Sequence, residues 1–104
     1  MIMSTVRMIF TPNKATQAVE WARKLMAYSK KAGISGDVSL IRPSTGETNS
    51  LIWLSRHASM EEREQIHKKR RADSGWVAIV NEGIESDWFI GERRNIYEVL
   101  ESAG

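Results

Sequence analysis

A chain of 104 residues, 41% hydrophobic and 27% charged, has the size and balance of one small globular domain, spanning residues 1–104, whose core must be thin. No apolar run approaches the roughly 20 residues that cross a bilayer, and with no Cys there is neither a disulfide framework nor a thiolate site. The net charge of +2 does not argue for an acidic partner, and MIMSTVRMIF lacks the basic-then-apolar build of a secretory signal, so a cytoplasmic location is expected.

The segment TVRMIF, Thr5 to Phe10, is rich in β-branched and large apolar residues and reads as a first strand, ended by Pro12 and Asn13. From Lys14 to Ala32 apolar residues recur at three- and four-residue spacing, which predicts a helix capped by Gly33. Asp37 to Arg42 is a second strand, and Pro43 suits it to an edge. The turn residues PSTGETN lead straight into SLIWLSRHA, so the second and third strands form a hairpin. Ser59 with Glu62 is a capping box that opens a second helix. That helix is acidic at its start and ends in HKKRR, the order its macrodipole favours. Asp73 or Ser74 begins a short third helix expected to end between Asn81 and Gly83. After a loop holding Trp88, Phe89 and Gly91, Asn95 to Leu100 is the last strand.

This order is the split βαβ of an α+β, ferredoxin-like fold, with strands one and three central and two and four at the edges of a four-stranded antiparallel sheet. Side chains alternate along a strand, so Leu51 and Trp53 point to one face and Ile52 and Leu54 to the other. Helices cover only one of those faces. A second copy of the same sheet is the simplest cover for the other, which predicts a homodimer through the sheet faces.

The first strand and helix VRMIFTPNKATQAVEWARKL, the hairpin RPSTGETNSLIWLS, the segment ADSGWVAIV and the closing RRNIYEVLE resemble the dimeric α/β-barrel superfamily. Within it the likeness is to NIPSNAP-like and antibiotic-biosynthesis-monooxygenase-like proteins. The resemblance implies a homodimer with a cavity between sheet and helices in each subunit. Some relatives use that cavity for cofactor-free oxidation or other small-molecule chemistry. It fixes no catalytic residue.

Candidate site residues follow from chemistry. His57 shares a strand face with Trp53 and could act as a general base at the mouth of a pocket; the competing reading is a surface histidine in the loop leading to Ser59. Arg7 and Tyr97 are placed to reach the same space as an anion clamp and a hydrogen-bond donor. Trp53, Trp76 and Trp88 could line a site for a flat apolar ligand, although core packing is the weightier role for Trp53 and Trp76, and Trp88 would serve equally as a lid or a dimer contact. Trp21 falls at the edge of its helix's apolar stripe. His67, in the charged helix between Gln65 and Lys68, is the weaker of the two histidines.

No metal site is expected from two His without HxH or HExxH spacing, and no nucleotide cofactor without a Gly-rich phosphate loop. HKKRR reads as a helix terminus rather than an RNA surface, because the third strand carries only one aromatic residue. Two functions remain open. One is a homodimer that binds, and in some form transforms, a small hydrophobic molecule without a cofactor. The other is a non-catalytic structural or partner-binding dimer whose cavity is filled by its own side chains. An open cavity of roughly 300 Å³ or more with convergent polar groups separates them.

Overall fold

The computed structural model describes residues 1–104. Strand β1 (Ile2–Phe10) is followed by helix α1 (Ala15–Lys31), strands β2 (Asp37–Ile41) and β3 (Ser50–His57), helices α2 (Met60–Ala72) and α3 (Ser74–Glu85), and strand β4 (Phe89–Glu98). The four strands form one antiparallel sheet in the order β2-β3-β1-β4. That is the ferredoxin-like arrangement, with β1 and β3 central. No helix is long and apolar enough to cross a membrane.

Register sorts the side chains into two faces. Val6 lies opposite Trp53 and Met8 opposite Leu51 on the helix-facing side, whereas Thr5 opposes Leu54 and Arg7 opposes Ile52 on the outer side. The core forms where β1 and β3 carry their largest helix-facing residues. Met8, Phe10 and Leu51 pack against Ala18, Trp21, Ala22 and Leu25 of α1. Ala18 and Ala22 are fully buried, and their small side chains bring the helix close to the sheet. Each large core side chain contributes about 1.5–3 kcal/mol through burial. Gly33, at φ 72°, turns the chain out of α1 in the left-handed conformation that a side chain would resist.

Helices α1 and α3 meet closely. The Trp21 indole N–H donates to the Ile79 carbonyl at 2.7 Å, and Gly83 supplies the bare backbone over which the ring lies. The Tyr28 hydroxyl donates to Asp73 at 2.5 Å, and the same carboxylate oxygen accepts from the Trp76 backbone N–H at 2.9 Å, capping α3. Those two bonds hold the Asp73 carboxyl below its ordinary range. The Tyr28 phenol is raised by its hydrogen bond to Asp73, then by burial and by the carboxylate charge.

Three boundaries differ from the expectations. Strand β1 begins at Ile2 rather than Thr5, and β4 begins at Phe89 rather than Asn95, so Phe89 and Gly91 belong to a strand and not to a loop. The cause is non-local: β1 is paired along its whole length and draws the polar run Glu92–Asn95 into its ladder, with a register shift between Ile9 and Phe10 absorbing the extra residue. Helix α3 continues to Glu85, because Gly83 sits inside it as the contact point for Trp21 rather than as its end.

Candidate functional site

The same sheet face that holds the core at one end is left open at the other. Toward the start of β1 and the end of β3 its residues change from Met8 and Leu51 to Ser4 and Ser55, direct cross-strand partners. Two serines leave the volume that two leucines would fill. Above them opens a cleft of about 900 Å³ between the sheet and helices α2 and α3. Val6, Trp53 and the serines form its floor, Trp76 and Val80 of α3 one wall, and Arg94 and Ile96 of β4 its outer margin. Ser4 and Ser55 are each 8% exposed, and neither hydroxyl is hydrogen-bonded within the chain.

The remaining wall is α2. This helix buries none of its residues. Arg63, His67, Arg70 and Arg71, spaced at i, i+4, i+7 and i+8, share the side that lines the cleft. Arg70 donates through Nε to the Ile34 carbonyl at 3.0 Å and through Nη2 to the Ser35 carbonyl at 2.7 Å. Its guanidinium lies 5.0 Å from the centre of the Trp76 ring, in a cation–π contact. Arg63 contacts Glu64 at 3.2 Å through Nη1, while its Nε is buried with no hydrogen-bond partner. Burial, together with the positive charges of Arg63 and Arg70, lowers the His67 pKa to about 4, so the imidazole is neutral at pH 7. Glu92, the sole acid lining the cleft, is paired with Arg94. Four guanidinium groups therefore face one carboxylate.

Trp53 and Trp76 line the cleft, on its floor and wall. His57 shares the helix-facing side with Trp53, as its register requires, but it is neither at the mouth nor on the surface. It is 2% exposed beside α2, its Nε2 has no partner, and it is absent from the cleft lining. Burial lowers its pKa, partly offset by Glu62 and reinforced by Arg63 and Arg70. Arg7 and Tyr97 do not reach the cleft. Both point to the outer side of the sheet, where Arg7 Nη1 donates to the Ser50 hydroxyl at 2.9 Å and pairs with Glu47 at 3.3 Å. Their residue numbers have the parity of Ile52 and Leu54's partners, opposite to that of Val6 and Met8. Trp88 packs at the edge of the core and lines a separate hollow of about 260 Å³ with Trp21, Lys24 and Glu82. Trp21, expected to flank the core, is inside it at 7% exposure.

His67, ranked below His57 in the sequence, is the histidine that lines the cleft, and Arg63 and Arg70 flank it. A signal for them existed. On α2 the inward stripe contains Ile66 but is otherwise Arg63, His67 and Arg70, so the helix lacks the apolar face that would seal it onto a sheet. The basic run HKKRR is thus divided, with Lys68 and Lys69 in solvent and His67, Arg70 and Arg71 at the cleft.

The profile of the NIPSNAP family matches residues 9–101, nearly the whole chain. The chain belongs to the NIPSNAP family. No curated protein sequence gives a match. Among solved structures, a NIPSNAP-like domain protein from Burkholderia xenovorans superposes with a TM-score of 0.80 at 14% identity, covering 99% of this chain and 88% of its own. A NIPSNAP family protein from Agrobacterium tumefaciens gives 0.80 at 13% identity, covering 98% and 88%. A structure described as an antibiotic biosynthesis monooxygenase gives 0.70 at 8% identity, covering 97% and 100%. At such identities the likeness concerns the fold alone. This NIPSNAP chain shares its ferredoxin-like sheet and helices with proteins of both descriptions.

Proposed function

We propose that this NIPSNAP protein is a cytoplasmic homodimer that binds a small hydrophobic organic molecule in the cleft between sheet and helices. The observation that carries the reading is the cleft itself. At about 900 Å³ it is three times the size expected of a small-molecule site at its minimum, and it is lined by the indoles of Trp21, Trp53 and Trp76 and by the unbonded hydroxyls of Ser4 and Ser55. A protein whose cavity only packed its own side chains would not keep that space. Binding is favoured over acid–base turnover, because a histidine held near 4 is a poor proton acceptor at neutral pH. Turnover of the monooxygenase-like, cofactor-independent kind would then depend on the ligand's own reactivity.

The dimer rests on the outer sheet face. Met3, Ile9, Ile52, Leu54 and Ile41 lie there with Tyr97, which is 50% exposed, and no helix covers them. The molecule is a slab of 39 × 35 × 19 Å, two layers thick. A second copy applied to that face would give the third and fourth layers.

The binding reading is tested by titrating 1-naphthalenemethanol, a flat neutral probe, and following the four indole N–H resonances. A fragment of that size filling a preformed apolar site should bind with a dissociation constant on the order of 0.1–1 mM. The Trp53 and Trp76 resonances should shift saturably while Trp88 stays fixed. Absence of any saturable shift overturns the reading.

A further inference from the structure

We infer that the natural ligand of the cleft carries a single carboxylate head, which docks at the α2 wall against Arg63 and Arg71 while its apolar body lies over Trp53 and Trp76. This deepens the binding function proposed above and depends on it. The argument begins with the mismatch of charge. Three acids near the α2 wall already have partners: Glu64 meets Arg63 Nη1, Glu62 accepts from the Ala58 N–H at 3.0 Å, and Glu92 is paired with Arg94. Arg63 Nε nevertheless remains buried and unpaired, on the helix side that lines an open cleft. A buried guanidinium N–H without an acceptor is a standing cost to the fold, and a turn of the Arg63 side chain toward the cleft would let a ligand oxygen supply the acceptor.

The surroundings select the kind of anion. Arg70 is anchored by two carbonyls and by Trp76, so it adds positive charge without offering a free fork. His67 is neutral and adds no further cation. No run of backbone N–H groups or glycines converges on the wall, as a phosphate cradle would require. The rest of the lining is apolar residues, the hydroxyls of Ser4 and Ser55 on the floor, and, on β4, Asn95 and the Glu92–Arg94 ion pair, whose charges already answer each other. A monoanion on a flat hydrophobic body fits this set, because the planar guanidinium of Arg63 matches a carboxylate edge.

The test compares 1-naphthoate with 1-naphthalenemethanol, which share a ring system and differ in the charged head, by the same indole resonance titration at pH 7. A charge-assisted hydrogen bond should make the acid bind about tenfold tighter. Added salt should reduce that advantage, and Arg63→Gln should remove it, weakening the acid by more than it weakens the alcohol. Arg71→Gln, on the exposed rim, should reduce it in part. The comparison on the unaltered protein stands even where Arg63→Gln fails to fold. Equal affinities for the two probes, or an acid preference that survives both substitutions, overturn the carboxylate inference and leave the cleft as a neutral hydrophobic site. If neither probe shifts Trp53 or Trp76, the binding function fails and this inference fails with it.

Discussion

His67 offers the most direct check on the electrostatics of the cleft. Its pKa falls from 6.5 to about 4 on folding because the ring is partly buried and faces Arg63 and Arg70, with Glu64 opposing the shift and His57 adding slightly to it. A histidine whose folded value is depressed is neutral in the native state while the unfolded chain takes up a proton below about pH 6.5. The stability it allows is fully present above that point and is lost as pH falls toward 4. At full strength such a displacement corresponds to about 3 kcal/mol, and solvent screening of a ring that is not fully enclosed reduces it to about 1–2 kcal/mol. His57, also depressed by burial, acts in the same direction. Urea unfolding at about pH 7 and about pH 4.5 should show that loss in the wild-type protein, with a clearly smaller loss in His67→Gln, which has no proton to gain. Only two imidazoles exist, so proton NMR resolves both titrations and His67→Gln assigns them. A His67 resonance that titrates near 6.5 would refute its burial in the cleft wall and the placement of Arg63 and Arg70 beside it.

Two further outcomes concern the packing around the site. Sedimentation equilibrium should give a mass near twice 11.8 kDa, and Leu54→Asp on the outer sheet face should yield monomers; a wild-type protein that stays monomeric at high concentration contradicts the dimer. Gly83→Ala would place a methyl carbon 2.4 Å from Trp21 Cζ2, so the indole must shift away from Ile79 and Phe89. Overpacking of about 1–3 kcal/mol should outweigh the gain in helix propensity of about 1 kcal/mol and lower the melting temperature by several degrees, whereas an unchanged or raised value would show that Trp21 yields freely.

The fold was legible because its signals were local or periodic. The alternation of Leu51 to Leu54 assigned both faces of β3, the apolar spacing from Ala15 to Leu25 gave α1, and Ser59 with Glu62 marked the start of α2. What escaped was non-local. The run Glu92–Asn95 has poor strand propensity and becomes β4 only because β1 pairs with it. The cleft residues escaped for a related reason. Arg63, His67 and Arg70 look like the solvated end of a charged helix until α2 is set over the sheet, and Ser4 and Ser55 look unremarkable until their cross-strand pairing leaves a hollow between them. Parity alone is enough to place Arg7 and Tyr97 on the outer face, since they alternate with Val6 and Ile96.

The way α2 is held leaves its middle free of packing duty. At one end the Ser59 hydroxyl accepts from the Glu62 N–H at 3.2 Å, and the Glu62 carboxylate accepts from the Ala58 N–H at 3.0 Å. Such a box contributes about 1 kcal/mol. At the other end Arg70 is tied to the loop before β2 and stacked on Trp76, and Asp73 closes the turn into α3. Between those anchors the helix crosses the sheet with no buried side chain. Arg63 and His67 project from that unsupported span, so the chain gains little fold stability from them. Apolar residues at those positions would have closed the helix onto Ser4, Ser55 and Trp53. Keeping an arginine and a neutral histidine there costs packing and preserves the open space on which the proposed binding reading depends.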